Sequence, residues 1–439
     1  MRAVALVAIG CAAAASPAGA QDARCLFRID QVGRQGAVEE RSSGTNYYGG
    51  GGVRLSCVGT SVTMASDSVA AMNGGEVAYF IGAVRYRDST VAMDADRGTY
   101  FKADERWEAR GNVHTRNLQN GSELTGPAMD YYRPLGGSRP EAMVYSTGRP
   151  TIVFRSATPG EEPFTVVADR VRFRGNDRIW TGGTSQVSRS DFAASADSLR
   201  LDTGPGSDGT LIGGEPVVRG LGEDPFELRG VRIDLRLLAR RLDFVTARGK
   251  ASAVTGGVNL VADTIGLDVE RDTLVQTLAW GTERRPEAVS DDYTIRADSL
   301  AVDTPGQRLR ELRGFGRAFV ESRPDSATGE ANWLEGDTVV AEFAPAAADT
   351  TKRELRSVEA RGAARSYYQI HDPKSPGRPS IDYARGDRIR VTFLPGGAVE
   401  RVDVVGRADG VHLEPGRPLA PDSAAADSTP PPAPNGGAR

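Results

Sequence analysis

After the aspartate in Ala297-Asp298-Ser299-Leu300-Ala301-Val302-Asp303, apolar side chains stand at +2 and +4. Ala196-Asp197-Ser198-Leu199-Arg200-Leu201-Asp202, Ala168-Asp169-Arg170-Val171-Arg172-Phe173 and Ala262-Asp263-Thr264-Ile265-Gly266-Leu267 repeat the pattern. Weaker copies are Ser66-Asp67-Ser68-Val69, Ala95-Asp96-Arg97-Gly98, Gly336-Asp337-Thr338-Val339 and Gly386-Asp387-Arg388-Ile389-Arg390-Val391. A period of two predicts a β-strand with one buried face, whereas a helix would need +3 and +4.

Successive aspartates lie 29, 73, 28, 66, 35, 39 and 50 residues apart. Each of the two long gaps hides a degenerate copy, Gly126-Pro127-Ala128-Met129-Asp130-Tyr131 and Leu228-Arg229-Gly230-Val231-Arg232-Ile233. Roughly ten units of about 35 residues predict a solenoid or stacked array. Each unit has a second half marked by glycine, as in Ile81-Gly82-Ala83-Val84, Arg110-Gly111-Asn112-Val113, Gly316-Arg317-Ala318 and Arg361-Gly362-Ala363. A glycine inside a strand pattern marks a bend, bulge or close backbone approach. The expected fold is all-β: an elongated, repeat-built β-jelly roll, or V-shaped β-solenoid, of about ten strand-turn-strand units.

Strand parity assigns the inward face to Val69, Val171, Phe173, Leu199, Leu201, Ile265, Leu267, Leu300, Val302, Val339, Phe343, Ile389, Val391 and Phe393. Ser299 and Ala301 then face outward. If the two sheets close fully, the inward residues form a dry core. If the sheets gape, the same residues line an apolar channel, where a buried acyl methylene contributes up to roughly 0.8 kcal/mol. Alternation looks the same in both cases.

Composition narrows the class without changing this picture. Glycine at 52 of 439 residues, about 12%, exceeds the average of roughly 7%, as many tight connections require. A hydrophobic content of 39% is too high for a disordered chain, and a formal charge of -4 gives no reason to expect a nucleic-acid partner. From Pro415 the composition turns to proline, alanine and serine, which predicts a disordered tail over 415–439. Insertions near Thr158-Pro159-Gly160, Gly204 to Asp208, Ala344 to Thr351 and Asp372 to Pro379 read as surface loops of a single array spanning 21–414.

Met1 to Ala20 reads as a cleaved export signal: Arg2, an apolar run, then Ala18-Gly19-Ala20. Lipoprotein processing at Cys11 is the alternative. No later run approaches the roughly 18 apolar residues of a spanning helix, so no membrane-spanning segment is expected in the mature chain. Export leaves Cys25 and Cys57, which in an oxidising compartment most simply form one disulfide, two unpaired thiols being the alternative. Closing a loop of about 33 residues stabilises by about 3 to 4 kcal/mol on the chain-entropy model. Between these cysteines, Gly49 to Gly52 reads as a loop, because four adjacent glycines burden a strand interior with entropy.

The chemistry-bearing residues are few. His114, His371 and His412 fall in different repeats, with no paired ligands at metal spacing and no Gly-x-Ser-x-Gly, so no catalytic residue, metal or cofactor is expected. Asn120-Gly121-Ser122 reads as a hairpin turn, for which Asn-Gly prefers type I′. Trp107, Trp180, Trp280 and Trp333 each stand one to four residues before a glycine and are expected to pack the core at the bend. The repeat aspartates are expected at strand starts, accepting hydrogen bonds from turn amides.

The repeat resembles the OstA-like family, which includes the periplasmic bridge protein of lipopolysaccharide transport and the N-terminal region of its outer-membrane translocon partner. The resemblance is carried by Ala95-Asp96-Arg97-Gly98-Thr99-Tyr100, Ala109-Arg110-Gly111-Asn112-Val113, Leu124-Thr125-Gly126 and Met129-Asp130-Tyr131-Tyr132, and covers about Val53 to Leu413. It implies a twisted V-shaped β-jelly roll whose apolar groove carries the acyl chains of lipopolysaccharide or a related glycolipid. It also implies other β-jelly-roll proteins as partners, joined by edge-strand addition, and a periplasmic location, free or associated with the outer membrane. The chain is longer than the usual bridge protein, and no C-terminal membrane barrel is expected in it. A structural or adhesive envelope repeat protein with a closed core is the competing expectation, and an enzyme on a β-solenoid a distant third.

Overall fold

The computed structural model describes residues 24–414, apart from 156–161, 176, 203–207, 222–224, 239–240, 271–272, 306–307, 327, 345–353, 372–378, 396 and 398. The export signal expected at 1–20 and the tail expected at 415–439 lie outside the described residues, as does most of each insertion. Apart from one turn of 3-10 helix at Asn73–Gly75, every described element is a strand. The fold is all-β, as the period of two requires.

Two compact units divide the chain. The first runs to Pro286 and takes back Ala301–Arg310; the second comprises Glu287–Leu300 and everything from Glu311. In the first, long strands follow one another as antiparallel neighbours: Gly44–Cys57, Thr63–Met72, Val77–Arg87, Val91–Phe101, Arg106–Asn117 and Glu123–Tyr132. Further on, Arg178–Arg189 pairs with Phe192–Asp202, and Arg241–Thr255 with Val258–Glu270. In the second unit, Glu311–Ser322, Trp333–Phe343, Leu355–Ile370 and Ser380–Phe393 repeat the arrangement.

Every long strand is bent near its middle, and the bend explains the repeat. Gly82-Ala83, Gly111-Asn112, Gly183-Thr184, Gly316-Arg317, Gly362-Ala363 and Gly406-Arg407 all place two consecutive residues in the left-handed region. The ladder skips there, as between Ile81 and Val84, which is a β-bulge. Each strand thus becomes two half-strands, and the half-strands build two half-sheets. Some half-strands are separate elements: Phe27–Val32 pairs with one half of Gly44–Cys57, and Gln35–Arg41 with the other.

The repeat aspartate belongs to this bend, on the neighbouring strand. A Cβ added at Gly82, Gly111, Gly183, Gly316, Gly362 or Gly406 would stand 2.2 to 2.5 Å from a carboxylate oxygen of Asp67, Asp96, Asp169, Asp298, Asp337 or Asp387, respectively. The aspartates therefore lie mostly mid-strand and not at strand starts, because the element is one bent strand and not two short ones. Their bonding is of the expected kind. Asp263 accepts from the amides of Arg284, Glu283 and Thr282 at 2.8 to 3.1 Å, and these amides hold its carboxyl below the ordinary range. Asn112 donates to Asp96, and Arg317 to Asp298. In the degenerate copies Pro127 faces Gly148 and Val231 faces Gly249, so the bend survives loss of the carboxylate.

Gly316 shows why the pair is co-specified. Its φ of +74° strains any side chain, and a Cβ would meet Asp298 at 2.5 Å. Gly316→Val is expected to cost about 1 to 3 kcal/mol from backbone strain alone. Asp298→Ala in the same chain should recover only the clash, and a double-mutant cycle on urea midpoints reads both parts. A neutral Gly316→Val would refute the bulge as the source of the repeat.

Other expectations are corrected as well. Gly49 to Gly52 lies inside the strand Gly44–Cys57, because this is that strand's bend: Gly51 and Gly52 have φ of +76° and +97°, and pairing continues on either side. The entropic burden is real, but a backbone crossing demands glycine, since a Cβ on Gly33 would sit 2.0 Å from the Gly51 carbonyl. In the Asn120-Gly121 turn only Gly121 is left-handed, so the turn is not type I′. Ala301 is buried, not outward, because Ala301–Arg310 folds into the first unit, where Gln276 donates to Asp303 at 2.7 Å and the Thr304 amide to the Val275 carbonyl.

Cys25 and Cys57 form a disulfide with a Cα–Cα distance of 4.9 Å. Of the tryptophans, Trp107 is fully buried, Trp180 and Trp333 are half-buried, and Trp280 is exposed. Core packing at the bend therefore describes Trp107 alone.

Candidate functional site

The two half-sheets of the first unit face one another. Tyr86, beyond the bend of its strand, contacts Trp107 and Tyr131, which precede the bend or belong to the paired half (ring centroids 5.1 and 5.9 Å). What fills the space between the half-sheets changes along the unit.

Around Trp107 the space is full. Trp107, Tyr86, Tyr100, Tyr131, Phe80, Met64, Met93 and Met129 are all fully buried there. At the hairpin tips the half-sheets are clasped by polar groups. Asp88 accepts hydrogen bonds from the hydroxyls of Tyr86 and Tyr131, both at 2.9 Å. It also accepts from the amides of Thr90 and Val91 at 2.7 Å. Arg133 lies 4.0 Å from Asp88 and donates at 2.6 Å to Glu105, whose other oxygen takes the Cys25 amide. Burial, then the Asp88 charge, pushes both tyrosine hydroxyls far up. Burial works against the Arg133 charge, and Tyr86, Glu105 and Asp88 outweigh it, so its direction is up. The disulfide fixes the segment that carries the Cys25 amide.

Farther along the first unit the half-sheets part. A cavity of about 120 Å³ opens between them. Leu199, Leu201, Leu211, Leu235, Leu237, Leu242 and Val269 line it from one half-sheet; Phe164, Val187, Phe192, Ala194 and Phe226 line it from the other. Its polar lining is Arg189 and Asp191, a bidentate pair at 2.6 and 2.8 Å on one hairpin tip. A second cavity of about 80 Å³ lies between the half-sheets nearer the clasp, lined by Val91, Leu124, Met129, Tyr131, Val144, Ile152, Phe154 and Phe173 among others. An apolar cavity of about 150 Å³ is known to stay dry and admit benzene, so the larger space is of a size to take part of an alkyl chain.

Of the fourteen residues assigned inward by parity, eleven are buried; Phe173, Phe343 and Phe393 are half-buried. Leu199 and Leu201 come together in the larger cavity, and Phe173 lines the smaller. Val69, Val171, Ile265, Leu267 and Val302 are buried elsewhere in the first unit, and Leu300, Val339, Ile389 and Val391 in the second. Parity from the aspartate missed the opposite wall, Phe164, Phe192 and Phe226, and the whole clasp.

Among the described residues no group of three or more histidine, cysteine, aspartate or glutamate side chains is placed to hold a metal ion. His114, His371 and His412 each pair with a carboxylate, of Glu123, Asp325 and Asp382. No described helix is long and apolar enough to cross a membrane.

Fold and cavity together define an antiparallel, jelly-roll-like β-protein with an apolar space between two half-sheets. No family model matches the chain, and no curated protein does. Among solved structures it is similar to LptH of Pseudomonas aeruginosa, described as the LptA-homologous periplasmic component of the lipopolysaccharide transport device. Identity is 15%, over 29% of this chain and 94% of that one, with a TM-score of 0.25.

Proposed function

We propose that this chain is a periplasmic lipid-binding bridge or scaffold in lipopolysaccharide transport to the outer membrane, binding acyl chains between its half-sheets and catalysing nothing. The observation that carries this reading is the 120 Å³ space with leucines on one wall and phenylalanines on the other. A half-sheet sandwich that needed only a core would close, because each apolar contact forfeited across a void weakens the fold. The ligand class comes from the OstA-like pattern of the repeat.

Edge strands support protein partners of the same build. Phe27–Val32 and Gln35–Arg41 in the first unit carry exposed Ile29 and Val38. Val399–Val405 and Asp409–Leu413 in the second carry exposed Val402, Val411 and Leu413. Each pairs on one side only among the described residues, which leaves a free row of backbone groups for strand addition. The competing structural reading has one observation in its favour, the filled and clasped space around Trp107.

Protein isolated from its native envelope and extracted into organic solvent should yield a stoichiometric glycolipid by mass spectrometry. A lipid-free extract would favour the structural reading.

A further inference from the structure

Three phenylalanine rings stand between the two cavities of the first unit. Phe154 stacks on Phe164 with centroids 5.1 Å apart and planes 4° from parallel, and on Phe173 at 6.0 Å and 26°. Phe164 lines the larger cavity, whereas Phe154 and Phe173 line the smaller. One stack is therefore the wall of both. Phe154 is buried at the end of its strand Thr151–Phe154, and its two partners are half-buried. Phe164 opens the strand Phe164–Val167, which pairs with Thr151–Phe154 so that Phe154 and Phe164 are direct register partners. Backbone pairing holds two of the rings in place, and Phe173 completes the stack from Arg170–Arg174 in the facing half-sheet.

We propose that the Phe154–Phe164–Phe173 stack is a partition that sets how long an alkyl chain the groove accepts. This rests on the reading of the groove as a lipid site. A chain entering the larger cavity passes between leucines and phenylalanines and stops at the stacked rings. From the larger cavity, the smaller one beyond is reached only when the central ring is gone, and its far side is shut by Tyr131 and Met129, which also belong to the filled space. The occupant is an alkyl chain: apart from the paired Arg189 and Asp191, the larger cavity offers it apolar walls.

The test uses the full chain and a ladder of saturated fatty acids of increasing length, read by displacement of a fluorescent naphthalene sulfonate. Each carbon that enters apolar space tightens binding about fourfold. In the native chain, affinity should climb with length and then level off where the tip meets the rings. Phe154→Ala should keep the short-acid affinities within about twofold and continue the climb, so that the longest acids bind at least about tenfold tighter than to the native chain. Phe154→Leu, which keeps an apolar side chain in the wall, is the second variant should Phe154→Ala lose its circular-dichroism spectrum; it should shift the plateau in the same direction by fewer carbons. Identical profiles in native and folded variant forms, or a native climb without a plateau, would overturn the partition and leave lipid binding intact. No binding of any acid to the native chain would overturn the lipid reading itself, and the partition with it.

Discussion

Asp88→Ala should lose about 3 to 5 kcal/mol of stability, the range for breaking a buried charged network from one side. Asp88 is nearly inaccessible and serves four donors at 2.7 to 2.9 Å: the hydroxyls of Tyr86 and Tyr131 and the amides of Thr90 and Val91. Removing the carboxylate strands all four, and it leaves Arg133 beside Glu105 alone. Asp88→Asn keeps an oxygen for the two amides and should lose less, roughly 1 to 3 kcal/mol. Urea unfolding followed by tryptophan fluorescence is a suitable measurement, since Trp107 packs against Tyr86. A loss under about 1 kcal/mol for Asp88→Ala would mean that the clasp does not hold the half-sheets together.

The same site fixes the sign of an alkaline effect. Tyr86 and Tyr131 have folded-state pKa values raised far above the ordinary value of 10, first by burial and then by Asp88. Their contribution is complete below pH 10. Above it, the unfolded chain releases phenolic protons that the folded chain keeps, so stability falls by roughly 1.4 kcal/mol per tyrosine per pH unit. Asp88→Ala removes the charge but not the burial, so most of this alkaline slope should persist in the variant.

How much of this was legible follows from where the parity breaks. In Phe192–Asp202 the buried residues are Ala194 and Ala196 before the bend and Leu199 and Leu201 after it. In Thr63–Met72 they are Met64 and Ser66, then Val69 and Ala71. In Val91–Phe101 they are Val91, Met93 and Ala95, then Gly98 and Tyr100, so the alternation shifts phase at the bend, and a count from the aspartate is right for one half-strand only. That half held Leu199 and Leu201, and both reached the cavity. Phe192, on the far half of the same strand, is out of phase and was invisible to the count. Phe164 stands before Asp169 on the far half of its bent strand and is out of phase in the same way, whereas Phe226 belongs to the copy in which Val231 replaces the aspartate. The clasp was hidden for a different reason. Asp88-Ser89-Thr90 reads as an ordinary hairpin turn, and nothing local says that Tyr131, 43 residues away, donates to it. Pairing across the half-sheets is a property of the fold, and no period along the chain encodes it.

The largest effect is expected from a photo-crosslinking residue at Leu201, which should capture glycolipid when the chain is made in its native envelope. One at Arg200 should capture none. Leu201 is buried and lines the larger cavity; Arg200 is the preceding residue of the same half-strand and is exposed on the opposite face. The pair is a better control than Leu300 with Ala301, where both side chains are buried. Leu199 with Ser198 repeats the comparison two residues earlier, Ser198 being exposed. A benzophenone side chain is large, but the cavity gives it about 120 Å³ to occupy at Leu201, and circular dichroism must show each variant folded before capture is scored. The contrast should be close to all-or-none, because outward neighbours on a strand point away from the space that the half-sheets enclose. Equal capture at Leu201 and Arg200 would indicate an adhesive surface. Capture at neither Leu201 nor Leu199 would mean that the space stays empty in the cell, and the chain would then be a structural protein of the envelope.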